Sequence, residues 1–242
     1  MKICVAQTRS VKGDIQQNIV NHKKMITLAV SAGAGIIVFP ELSLTGYEPQ
    51  LAKEIAVTDD DMRLNDFQKI SDESRIIIGV GMPIKKENGI CISMIIFQPG
   101  KPRHVYSKKY LHPDEEEFFV SGQNFASLNL NEINLAFAIC YEISVPEHSE
   151  NAFNHAAQIY IASAAKSESG VEQAAKTLSA IARNYSMTVL FSNSIGYCDN
   201  FESAGRSSIW NDKGLLMAAL DGSHQGLLVI DSSTHEVTHF DL

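Results

Sequence analysis

Long apolar runs are missing from this 242-residue chain. No stretch approaches the ~18 uninterrupted apolar residues that a membrane-crossing helix needs, so no membrane association is expected. The opening MKICVAQTRS holds one lysine and a short alternating segment where a secretory signal would hold an apolar core. Basic charge is scarce too: 20 Lys and Arg stand against 28 Asp and Glu, a net charge of -8. Basic residues cluster no further than pairs such as Lys23-Lys24 and Lys108-Lys109. An acidic chain gains nothing from a phosphate backbone, which argues against nucleic acid as a partner. The four cysteines, Cys4, Cys91, Cys140 and Cys198, share no CxxC spacing. Reduced thiols in the cytoplasm are the expectation, without zinc. No GxSxG turn, phosphate-cradling glycine loop or HExxH helix is found, and Gly79-Val80-Gly81 reads only as a strand with small residues.

What is there is a globular composition, 45% hydrophobic and 20% charged, enough to bury a sizeable core. KICVAQT alternates as a strand should. The next segment, from Asp14, carries Ile15, Ile19, Ile26, Ala29 and Val30 near helical spacing, and Gly33 and Gly35 mark its stop. IIVFPE then reads as a buried strand, giving a βαβ unit. Residues 59–74 are predicted to form a polar helix with Met62, Phe67 and Ile70 inward. RIIIGVGMPI and ICISMIIFQP are strands joined by a hairpin at Asn88-Gly89. A turn at Pro99–Pro102 leads to a third strand, RHVYSKKYL, so the sheet is mixed. NLAFAIC, QIYIASAA, TVLFSNSIG, GRSSIWND, LLMAAL and GLLVID are further strands. Helices are predicted after Pro146 and over VEQAAKTLSAIARNYSM. With no linker, repeat or low-complexity block, residues 1–242 read as one layered α/β domain.

Three reactive residues stand at strand ends. Glu41 closes IIVFP, Lys108 lies towards the end of RHVYSKKYL, and Cys140 ends NLAFAI. Strand ends are where α/β folds assemble sites, because the sheet holds side chains rigidly. Each also has an ordinary reading. A strand-end cysteine is commonly apolar filler, as Cys4 and Cys91 are read here. Glu41 can cap a turn, and Lys108 can be a solvated charge. In the chemical reading, a thiol nucleophile needs a base and oxyanion donors, and a desolvated Glu41 has its pKa raised toward a base's working range. None of the eight histidines has a context marking it as a partner for Cys140; His112, in the acidic loop HPDEEEFFVSG, is the nearest candidate.

At VFPELSLTGY, YSKKYL and CYEISVPE, in that order, the sequence resembles the nitrilase superfamily of carbon–nitrogen hydrolases. The opening KICVAQ, the segment ARNYSMTVLFSNSIG and GRSSIWNDKG extend the resemblance along the whole chain. It implies Cys140 as nucleophile, Glu41 as general base and acid, and Lys108 as the cation holding the tetrahedral oxyanion with a backbone N–H, that of Tyr141. Tyr106 sets the register that selects Lys108 over Lys109. Counting seven residues back from Gly122 gives Glu115 as a fourth residue that positions the lysine and the substrate nitrogen. Tyr47 is implied at the pocket wall. The family fold is a four-layer α-β-β-α sandwich with two mixed β-sheets, often paired as a homodimer. No cofactor is implied. The chain departs from the family pattern at Tyr110, where a histidine is usual, and at Ser144, where an arginine is usual. The resemblance implies a small-carboxamide amidase releasing ammonia. Alternatives are an N-carbamoyl amino acid hydrolase or nitrilase in the same pocket, a glutaminase feeding a synthetase, and a catalytically idle binding relative.

Overall fold

The structure is a computed structural model that describes residues 1–123, 127–130 and 133–242. In chain order its elements are β1 (Lys2–Gln7), α1 (Ile15–Ser31), β2 (Ala34–Val38), α2 (Ala52–Ile55), α3 (Asn65–Ser74), β3 (Ile77–Lys86), β4 (Gly89–Phe97) and β5 (His104–Ser107). They continue as β6 (Ser127–Leu130), β7 (Ile133–Ile139), α4 (Pro146–Asn154), β8 (Ile159–Ala164), α5 (Glu168–Tyr185) and β9 (Thr188–Asn193). The last are β10 (Ile195–Cys198), β11 (Phe201–Ala204), β12 (Ser208–Trp210), β13 (Leu216–Ala219), β14 (Gly226–Asp231) and β15 (Val237–Asp241).

Two mixed sheets result. The first runs β15-β14-β1-β2-β3-β4-β5 and the second β13-β12-β9-β8-β7-β6. Period-two alternation sorts each central strand between two faces. Ile3 and Val5 of β1, with Ile36 and Val38 of β2, meet Leu135, Phe137 and Ile139 of β7 between the sheets. The opposite faces carry Cys4 and Ala6, which pack with Ile19 and Ile26 of α1, and Ala136 and Ala138, which pack with Val171 and Leu178 of α5. Small residues on those outer faces let the helices sit close. Three cores in succession make the four-layer α-β-β-α sandwich. Among the described residues, no helix is long and apolar enough to cross a membrane.

Four local readings need correction. Met62 is 81% exposed, because a 3-10 turn at Met62–Leu64 precedes α3 and shifts the helical phase, turning Leu64 inward instead. The β3–β4 hairpin turns at Glu87-Asn88, one residue earlier than read, with Gly89 already paired to Lys86. The strand read over RHVYSKKYL is only β5, so Lys108 lies just beyond it. Short strands β6, β11 and β15 have no counterpart in the sequence reading.

Candidate active site

β2 runs into Pro40-Glu41, where the chain turns tightly over β3. Ser43 N–H donates to Pro40 O at 3.1 Å and Leu44 N–H to Gly81 O at 3.0 Å. The turn lies so close to β3 that a Cβ on Gly81 would stand 2.2 Å from Leu42 N and 2.6 Å from Pro40 O. The small residue in GVG is therefore what lets Glu41 fold back into the sandwich, a role the sequence reading missed. Lys108 is fixed from both sides: its N–H donates to Ile92 O at 2.8 Å, and its carbonyl accepts from Gly122 N–H at 2.7 Å. Gly122 crosses there against Ser107, whose carbonyl oxygen would be 2.1 Å from an added Cβ.

These two backbones deliver a fully buried charge cluster. Lys108 Nζ donates to Glu41 Oε1 at 2.8 Å and to Glu115 Oε1 at 2.7 Å, with the lysine side chain wholly shielded from solvent. Glu115 also accepts from Tyr47 Oη at 2.9 Å and, through Oε2, from His112 N–H at 2.8 Å. Burial alone would lower the Lys108 pKa, but Glu41, Cys140 and Glu115 together outweigh it and hold the ammonium above its ordinary value. Burial raises the pKa of Glu41, Lys108 opposes the rise and Glu115 adds to it. The other Glu41 oxygen, Oε2, is buried with no hydrogen bond of normal geometry among the described residues. The Cys140 thiol nonetheless lies close enough to pull the Glu41 pKa downward.

Cys140 comes from the opposite sheet. It follows the last residue of β7 at φ +47°, opening the 3-10 turn Cys140–Ser144 that leads into α4. A left-handed conformation costs a non-glycine residue about 1–2 kcal/mol, so the turn must be held. Glu142 holds it. Buried completely, it accepts from Ile139 N–H at 2.8 Å, Tyr106 Oη at 2.5 Å and Lys109 N–H at 2.7 Å. One carboxylate thus ties the cysteine turn to the backbone immediately after Lys108. The acid in CYE is a brace, and only its proximity to Cys140 hinted at a role. Burial raises its own pKa, with the Tyr106 hydrogen bond opposing. The thiol is pushed up to about 11 by burial and then by Glu41, against the pull of Lys166 and Lys108.

Above the thiol opens a cavity of about 530 Å³, lined in part by Tyr47, Glu115, Phe118, Cys140, Tyr141, Lys166 and Phe201. Tyr47 packs on Phe201 with ring centroids 5.9 Å apart. Of the four cysteines Cys140 alone borders this cavity, while Cys4, Cys91 and Cys198 are buried. The structure thus brings Glu41, Lys108, Glu115, Cys140, Tyr47 and Tyr141 to one place. Lys109 is exposed, its ammonium 5.3 Å from the Tyr110 ring centroid. His112 sits at the exposed rim paired with Asp114, its ring edge-on to Tyr141. Ser144 is exposed, and Tyr110 is half-buried edge-on to His148. Phe201 and Lys166 were missed because each belongs to the cavity only through the fold.

Residues 2–240 match the carbon-nitrogen hydrolase family. The chain belongs to that family. The hydrolase in the agr operon of Staphylococcus aureus is 25% identical over 98% of this chain and 93% of its own. The glutamine-dependent NAD(+) synthetase of Aquifex aeolicus is 27% identical over 62% of this chain, which spans only 27% of that protein. Among solved structures, a cysteine-to-alanine mutant of the amidase from Nesterenkonia sp. AN1, in complex with butyramide, superposes with a TM-score of 0.85. It is 23% identical, and the match covers 96% of this chain and 90% of that one. The fold is therefore shared with that amidase.

Proposed function

We propose that this carbon–nitrogen hydrolase is a thiol-dependent amidase, releasing ammonia from a small carboxamide through an acyl-enzyme on Cys140. The observation that carries the reading is the buried Glu41–Lys108–Glu115 cluster set against the one cysteine that borders the cavity. A thiol held near pKa 11 is protonated at neutral pH, so attack needs a base, and Glu41, raised by burial, is placed to serve. Glu41 takes the thiol proton as the sulfur–carbon bond forms. The oxyanion is held by the Lys108 ammonium and the Tyr141 N–H, donors fixed before the reaction begins. Glu41 returns its proton to the nitrogen as the carbon–nitrogen bond breaks and ammonia leaves. It then takes a proton from the water that attacks the thioester and passes it to the departing sulfur, releasing a carboxylic acid and restoring the Cys140 thiol. Glu115 positions the lysine and the substrate nitrogen.

Relatives support the choice of amide. The Nesterenkonia amidase is known with butyramide, and a glutamate mutant of it carries the acetamide moiety of fluoroacetamide on its active-site cysteine. The test is ammonia release from aliphatic amides, ω-amides, N-carbamoyl amino acids and nitriles, with Cys140→Ala beside the wild type. Turnover of amides that vanishes in the mutant supports the proposal. Turnover confined to nitriles or carbamoyl compounds reassigns the substrate. Silence across the panel, with Cys140 inert to iodoacetamide, sinks it in favour of a binding role.

A further inference from the structure

One charged group at the cavity has no part in this chemistry. Lys166 follows Ala165, whose carbonyl oxygen lies 4.0 Å from the Cys140 sulfur. Its backbone is clamped: the N–H donates to Asn193 Oδ1 at 2.9 Å, and the carbonyl accepts from Asn193 Nδ2, Ser203 Oγ and Ala204 N–H. Its stem lies over Gly170 in the first turn of α5, with Cβ only 3.3 Å from where a Cβ on that glycine would stand. The side chain is half-buried on the cavity wall. Yet its ammonium has no hydrogen bond or ion pair among the described residues. Three further acids line this cavity besides Glu115, which is committed to Lys108. Asp114 faces His112, while Glu117 and Asp199 are exposed at the mouth, where water screens them. The charges of Lys166 and Lys108 both draw the thiol pKa downward.

A rigidly based, half-buried lysine with no internal partner, on the wall of the cavity that the Cys140 sulfur also borders, is a counter-ion awaiting its anion. We propose that Lys166 binds a carboxylate on the substrate, so that the amide cleaved is one bearing an acid group, such as the monoamide of a dicarboxylic acid. The inference rests on the amidase reading and deepens it. Phe201, Tyr47 and Phe118 would flank the aliphatic stem between the two polar ends.

Binding to the Cys140→Ala protein separates this from the chemistry, because no bond breaks. Glutaramate is expected to bind about tenfold or more tightly than valeramide, its neutral counterpart, as one charge-assisted hydrogen bond allows. Adding Lys166→Met should bring the two within about threefold, while Lys166→Arg keeps the preference. N-carbamoylglycine measured against ethylurea repeats the comparison on a urea whose carboxylate stands at a similar reach from the carbonyl. Equal binding of acid and neutral ligands in both pairs, or a preference that survives Lys166→Met, overturns the proposal. Failure of the amidase reading appears elsewhere, as missing ammonia release by the protein with Cys140 intact.

Discussion

The two sheets are built alike. At the centre of the first, β1, β2 and β3 are parallel, and at the centre of the second so are β7, β8 and β9; each triplet is flanked by antiparallel strands. Glu41, Cys140 and Lys166 lie beyond the carboxyl ends of parallel strands, where loops can gather without breaking the ladder, whereas Lys108 follows β5, an antiparallel partner of β4. What the two sheets deliver differs. The first sheet supplies the Glu41–Lys108 pair, locked and shielded from water. The second supplies Cys140 on a left-handed turn and Lys166 on a half-exposed wall. The interlocked buried charges come from one layer, and the thiol and the partly exposed ammonium on the cavity wall come from the other. The division makes the docking of the sheets a condition for the proposed chemistry.

The sharpest way to break that arrangement is to disable one side only. Glu41→Gln is expected to lower kcat/KM by about 10⁴-fold or more while leaving Cys140 open to alkylation by iodoacetamide, followed by intact mass. As the proposed base, Glu41 must be ionised to act. Because burial raises its pKa, the acid limb of kcat/KM should lie above the ~4.3 of an ordinary glutamate. Activity falls as pH drops through that raised value, and a limb at or below 4.3 would count against Glu41 as the base.

Lys108→Met leaves two buried carboxylates without their cation, a loss of about 3–5 kcal/mol in unfolding free energy at neutral pH. Glu41 then takes up a proton more readily, so the deficit should shrink as pH falls; denaturant titrations at two pH values read it. Gly81→Ala drives a methyl group into the backbone of the Glu41 turn, for an expected cost of about 3 kcal/mol and loss of turnover. Gly79→Ala, two residues earlier, meets first the flexible Met94 sulfur at 3.2 Å and should cost about 1 kcal/mol with activity kept. The smallest effect sharpens the contact between layers. Ser163 Oγ of β8 donates to Phe39 O at 2.8 Å, just ahead of Glu41. Ser163→Ala should cost about 1 kcal/mol and a modest part of kcat with the thiol still reactive.

Much of this was legible in the sequence because strand ends announce themselves. Buried apolar runs such as IIVF and AFAI stop abruptly at a polar residue, and the order of Glu41, Lys108 and Cys140 supplied the family. What escaped depends on distance across the fold. Gly81 matters because of a turn some forty residues away, which no local pattern reports. Glu142 binds backbone N–H groups from two segments, and Lys166 looks like any solvated lysine until Ala165 is seen against the thiol. The strand β15 was missed because its residues are partly or fully exposed at a sheet edge, where alternation fades. Met62 was misplaced by a single turn of tighter helix.

The elevated pKa of Cys140 has a consequence for the durability of the protein. Peroxides attack thiolates far faster than thiols, and cysteines that rest ionised pass readily to sulfenic and then irreversible sulfinic acid. With its thiol pKa pushed up to about 11, Cys140 carries little anionic sulfur at neutral pH. On the proposed mechanism, the same environment that calls for a base also spares Cys140 from oxidants it meets while idle.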